Sequence, residues 1–230
     1  MTILFEGKMD NGEVYQLKTL SFANKSEILS LQVDTIASID MLDSLQPLSD
    51  GEVDVILSGK GLVVGVYSNE ALVAFRVLLE PPLDDEHLGL DIGLKNQQLS
   101  ECIYQEISIV HPHFRGMGLQ QLMGQLLMKE VKEKNYGFVL ATVAPFNIPS
   151  LKDKFSHGLE IAALKFKYGG MLRYIFVKDL KLDSEFGKRE QLIPMENIEK
   201  QQAVLDSGWR GVGIQCIRDE WFVVYKEKVN

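Results

Sequence analysis

One stretch constrains the fold more than any other: residues 110–128, which read VHPHFRGMGLQQLMGQLLM. Just before it, ECIYQEISIV predicts a strand over 103–110. A short basic turn follows, Arg115-Gly116-Met117-Gly118, and apolar residues at Leu119, Leu122, Met123, Leu126, Leu127 and Val131 predict a helix over 119–134. A strand that turns at once into a helix brings backbone N–H groups, the positive end of a helix dipole and an Arg side chain to one point. Such a point suits a phosphate or pyrophosphate. The next strong strand, 138–143, comes directly after the helix, so the two strands are expected to lie parallel. A ligand is then expected at their carboxyl ends.

Around this unit the chain reads as alternating short elements. A first strand is expected over 14–20, and Ser26 is placed to cap a helix over 27–39. Ser49 is placed to cap a second helix, stopped by Gly59-Lys60-Gly61. Strands over 62–67 and 72–79 flank Ser68-Asn69-Glu70 and read as a hairpin. Residues 83–100 are polar, acidic and uneven, and read as a long loop of the kind that often carries function. Beyond 143, a short helix over 147–155 and strands over 159–166 and 171–177 are expected. Residues 181–194 are charged and show no periodicity. A helix over 195–207 and a hairpin of strands 211–217 and 221–226 close the chain.

Composition narrows the classes. Apolar residues make up 46 % of the 230, enough for a sizeable core, and the formal net charge is −8. That balance argues against nucleic-acid binding, which needs a basic footprint. The two cysteines, Cys102 and Cys216, form neither a disulfide framework nor a metal motif, so no metal is expected. No apolar stretch approaches membrane-spanning length and the N-terminus lacks a signal core, which makes a cytoplasmic setting away from the membrane the expectation.

The run V-H-P-H-F-R-G-M-G-L resembles the acyl-CoA-binding signature of the GNAT N-acetyltransferase superfamily, [Q/R]-x-x-G-x-[G/A] after a strand. A second family landmark, an Asn soon after the next strand and then a short helix ending in Gly-Phe, has its counterpart in Asn147-Ile148-Pro149-Ser150 and His157-Gly158-Leu159. The order of elements also matches, over roughly residues 13–180. The resemblance implies an α+β fold, a three-layer α/β/α sandwich with a mixed, mostly antiparallel central sheet. It would span 1–182, with 183–230 as a C-terminal helix-plus-hairpin extension packed on it. Two positions depart from the pattern. Gln120 stands where the signature has Gly or Ala, and Lys154 stands where many members carry a catalytic Tyr.

What the resemblance implies for the site follows residue by residue. Acetyl-CoA would be the donor, its pyrophosphate beside Arg115 and Gly116 and held by the N–H groups of Met117, Gly118, Leu119 and Gln120. The pantetheine arm would pair with the backbone of Ile109 and Val110, where the family's sheet splays. Asn147, with Ser150 in the same turn, would hold the arm from the other side. A Glu on the signature strand often serves as general base, and Glu106 takes that place here. By alternation Tyr104, Glu106, Ser108 and Val110 share one face of the strand, while Ile103, Ile107 and Ile109 share the other. Mid-strand, Glu106 is expected to be partly buried, and Tyr104 is an alternative acid or a wall of the acceptor pocket. His111, His113 and Asn147 also have plain structural readings, as turn residues and as a helix cap. The reaction implied is acetyl transfer to a primary amine. A non-catalytic acyl-CoA sensor or interaction module is the competing reading, and an unrelated nucleotide-binding α/β protein is a third. The extension is expected to cover the sheet edge, make a homodimer contact or wall the acceptor pocket.

Overall fold

Residues 3–9, 12–38 and 47–229 are described by a computed structural model. In chain order the elements are β1 (Ile3–Lys8), β2 (Val14–Thr19), α1 (Lys25–Ile36), α2 (Asp50–Val55), β3 (Gly61–Ser68), β4 (Ala71–Leu79), α3 (Leu88–Asp91), α4 (Asn96–Leu99) and β5 (Cys102–Val110). After these come α5 (Leu119–Glu133), β6 (Phe138–Val143), α6 (Ile148–Ser156), β7 (Glu160–Lys167), β8 (Met171–Asp179), β9 (Phe186–Pro194), α7 (Ile198–Asp206), β10 (Trp209–Ile217) and β11 (Glu220–Lys228). Two compact units emerge, Met1–Glu80 with Gln105–Lys134 and Pro81–Tyr104 with Asn135–Asn230. Each is described by itself.

In the first unit the strand order is β1-β2-β3-β4-β5, and β1 to β4 pair antiparallel. The β3–β4 turn places Asn69 and Glu70 at φ 49° and 66°, the mirror-image turn whose twist suits a hairpin. Along β4 the side chains alternate. Phe75 and Val77 enter a cluster with Ile28 and Leu31 of α1, Val53 of α2 and the following Ile56, joined by Ile107 and Ile109 of β5. Arg76 turns the other way and reaches Gln120 of α5. Helices therefore cover both faces of this sheet. The Ser49 cap forms as expected: its hydroxyl accepts the Glu52 N–H, and the Glu52 carboxylate accepts the Ser49 N–H. The α1 cap differs. The helix starts at Lys25, and Asn24, fully buried and bonded to Ser21, Glu27 and Tyr67, takes the place expected of Ser26. Of the expected 27–39 helix, Ile39 lies outside the described residues.

In the second unit the order is β5-β6-β8-β7-β10-β11-β9. β5 and β6 pair parallel, as the intervening helix requires, and every other neighbouring pair is antiparallel. The sheet is thus mixed and mostly antiparallel. Residues 83–100, expected to be a loop, carry the short helices α3 and α4. Residues 181–194, expected to lack regular structure, contain β9, and β1 had no counterpart in the sequence reading. Close approach of β10 to β7 depends on Gly211, where a Cβ would lie 2.9 Å from Ile161 Cβ. The C-terminal segment is tied in by a buried polar knot. Gln201 Oε1 accepts both the Tyr174 and Tyr225 hydroxyls, at 2.7 and 2.9 Å, and its Nε2 donates to the Met195 carbonyl at 2.8 Å.

Candidate functional site

The turn into α5 has the form an anion requires. Gly116 and Gly118 sit at φ 79° and 73°, left-handed conformations that side chains with a Cβ disfavour. No atom comes within 4 Å of a Cβ built at either position, so the space in front of the turn is open. Gly118 is the N-cap and carries no capping side chain, so the first-turn N–H groups from Leu119 to Gln121 have no side-chain cap. The Gln120 side chain is half-buried beside this opening. Arg115 is exposed, and its Nη2 donates to Ser38 Oγ just past α1, at 3.2 Å. Upstream, His111 Nδ1 accepts the His113 backbone N–H at 3.3 Å, and the His111 backbone N–H donates to the Val73 carbonyl at 2.9 Å. The imidazole thus shapes the turn.

Strand β5 departs from strict alternation. Ile107 and Ile109 face the α1 cluster, as expected. Gln105, which unbroken alternation would put on their side, turns to α5 instead. Its Oε1 accepts Arg76 Nη2 at 2.7 Å, and its Nε2 lies 3.4 Å from Met128 Sδ. The pattern slips by one residue at Glu106. Glu106 is exposed rather than partly buried. The parallel β5–β6 ladder joins Cys102, Ile103 and Tyr104 to Phe138, Val139 and Leu140, and among the described residues it ends there. Ile109 and Val110 belong to the stretch past its end.

Tyr104 is placed by the second unit. Its hydroxyl accepts the Leu88 N–H at 2.6 Å, and its ring meets the His87 ring edge-on at 5.4 Å. Burial pushes its phenol far above the ordinary tyrosine range, which suits a wall better than an acid. His87 is 2 % exposed, and its Nδ1 accepts the Gly89 N–H at 3.0 Å. Burial lowers its pKa, with Asp84 and the Leu99 backbone pulling the other way. Two groups reached from outside the helix thus hold the start of α3. Burial pushes the Cys102 thiol up to about 12, which makes it a poor nucleophile.

Asn147 caps α6, accepting the Ser150 N–H at 3.3 Å; Ser150 takes part through its backbone. At the family's tyrosine position, Lys154 is buried and its Nζ lies 3.3 Å from Asp153 Oδ2. His157 Nε2 lies 3.3 Å from the other Asp153 oxygen. The Phe155 ring packs edge-on against Phe176 at 5.2 Å. A separate hollow of about 510 Å³ lies among α3, β7, α7 and β10. Two cations on its wall already have partners, Lys165 with Asp91 at 3.2 Å and Arg210 with Glu160 at 3.5 Å. Among the described residues no His, Cys, Asp and Glu grouping could hold a metal ion, and no helix is long and apolar enough to cross a membrane.

No family model matches the sequence, and no curated protein does. Solved structures do match. An N-acetyltransferase from Staphylococcus aureus Mu50 aligns over 72 % of this chain and 98 % of its own, at 17 % identity and TM-score 0.55. The ribosomal-protein-S18-alanine N-acetyltransferase of Escherichia coli covers 76 % of this chain and 97 % of its own, at 14 % and 0.54. The yncA protein of Salmonella typhimurium, solved with its cofactor acetyl-CoA, covers 72 % and 94 %, at 14 % and 0.54. The chain has an acyltransferase fold. Specifically, it has the fold of the GNAT N-acetyltransferases.

Proposed function

We propose that the protein is a GNAT-type acyltransferase (EC 2.3.1.-) that moves the acetyl group of acetyl-CoA directly to a primary amine. The observation that supports this reading most is the turn Arg115–Gln120. Two left-handed glycines and an uncapped helix N-terminus leave backbone N–H groups open to a diphosphate. Charge-assisted bonds to such groups are stronger than neutral ones, and the α5 dipole adds about 0.3–1 kcal/mol. Gly116, Met117, Gly118, Leu119 and Gln120 are assigned to the diphosphate, with Arg115 beside it. The backbone of Ile109 and Val110, past the end of the β5–β6 ladder, is assigned to the pantetheine arm. Asn147 and Ser150 enter through the family resemblance, and Asn147 keeps its role as cap.

Acetyl-CoA, when bound, supplies an activated thioester. The chain's part is to hold the donor, exclude water and take a proton from the incoming amine. Glu106 is the proposed base. It lies exposed in the middle of β5, where it would take the amine's proton directly or through water. Tyr104 is assigned to the acceptor side as a wall fixed by Leu88. The leaving thiol has an ordinary pKa near 8.5, so it can depart as thiolate without the family's tyrosine. The segment 183–230 is assigned as an extension of the acetyltransferase domain, in a cytoplasmic protein.

The test is thiol release from acetyl-CoA with a panel of primary amines. Turnover with at least one class supports the reading. Glu106→Gln should then lower kcat strongly with little change in acetyl-CoA affinity. Tight acetyl-CoA binding with no turnover on any amine would instead favour a non-catalytic sensor.

A further inference from the structure

Arg76 interrupts an apolar strand, LVAFRVLL, and is 1 % exposed. A guanidinium stays ionised in proteins, and burying it is costly where an aliphatic side chain would not be. Its two arms go to specific places. Nη1 donates to the Gln120 carbonyl at 3.1 Å, in the first turn of α5, and Nη2 donates to Gln105 Oε1 at 2.7 Å. Gln105 in turn lies 3.4 Å from Met128 Sδ, farther along the same helix. β4 and β5 thus grip α5 through one buried pair.

The consequence falls on the helix N-terminus. The Gln120 carbonyl belongs to the same peptide unit as the Gln121 N–H, the orphan first-turn donor that directly follows the Leu119 and Gln120 N–H groups assigned to the diphosphate. A charged donor on that carbonyl polarises the unit and strengthens the N–H on its other side. It also fixes the turn's rotation, since Gly118 offers no side chain to do so. A cation near a helix N-terminus is at the unfavourable end of the dipole, and a bound anion offsets that.

We infer that Arg76 and Gln105 are positioning residues that brace the first turn of α5 for the diphosphate of the acyl donor. The inference rests on the acetyl-CoA reading. Its test measures coenzyme A binding by calorimetry and pantetheine, which lacks the diphosphate, by NMR titration. The proteins are the wild type, Arg76→Lys, Arg76→Met and Gln105→Met. Arg76→Met should weaken coenzyme A binding by about tenfold or more. Arg76→Lys should fall between, keeping the charge but not the two-armed grip, and pantetheine binding should be unchanged throughout. Equal coenzyme A binding in all four proteins overturns the inference, as does equal weakening toward coenzyme A and pantetheine. A wild type that binds no coenzyme A overturns the acetyl-CoA reading itself. If Arg76→Met gives no cooperative melt, Arg76→Lys and Gln105→Met decide the matter by the same comparison.

Discussion

The Tyr104 hydroxyl accepts the backbone N–H of Leu88 at 2.6 Å, so a strand residue sixteen positions on holds the first turn of α3. Tyr104→Phe keeps the ring and removes the acceptor, leaving that N–H unmet. Unfolding in urea should show a loss of about 1–2 kcal/mol, with faster amide exchange at Leu88. Unchanged stability and exchange would mean the bond carries no weight.

His87 makes the same helix start sensitive to acid. Its Nδ1 can accept the Gly89 N–H while the ring is neutral, and burial lowers its pKa in the fold from 6.5. The unfolded chain therefore binds this proton more readily than the folded one. The His87 contribution is fully present above pH 6.5 and is lost as pH falls from there toward the folded value. His87→Asn keeps an acceptor that does not titrate. Thermal melts from pH 7.5 to 5 should fall more steeply for the wild type than for this variant. Parallel curves would exclude His87 as the titrating group.

Glycine substitutions should separate conformational need from space. A Cβ at Gly118 meets nothing within 4 Å, yet φ is 73°, so Gly118→Ala should cost about 1–2 kcal/mol from the backbone alone. The same change at Gly51, inside α2 with nothing near its Cβ and no positive φ, should stabilise by about 0.5–1 kcal/mol. Denaturant midpoints read both, and equal signs would contradict the assignment of the α5 turn.

Gln201→Leu removes the centre of the knot joining α7, β8 and β11. It strands two buried tyrosine hydroxyls and the Met195 carbonyl. The expected loss is about 3 kcal/mol in urea unfolding, more than for an exposed glutamine such as Gln121.

Much of this was legible in the chain because it rests on local pattern. β6 spans the expected 138–143, α5 stands within a residue of expectation, and Ser49 caps α2 as expected. What escaped was held by distant partners. α3 and α4 are four residues each, too short to show a helical period, and α3 is held by Tyr104 and His87. β9 reads as a charged coil because it pairs on one side only, with β11. There Arg189 pairs with Glu227 across thirty-eight residues of sequence. The exposure of Glu106 is not legible in the sequence, because the slip between Gln105 and Ile107 breaks the period of two. Arg76 carries a signal in the sequence, one charge inside an apolar strand.

In the proposed function the turn before α5 receives the diphosphate of acetyl-CoA. Calorimetric titration of the intact protein with acetyl-CoA tests it most directly. Saturable binding at one site is expected, with Kd well below about 1 mM and weakening as salt is raised. No saturation at millimolar acetyl-CoA, with the protein folded, would contradict it.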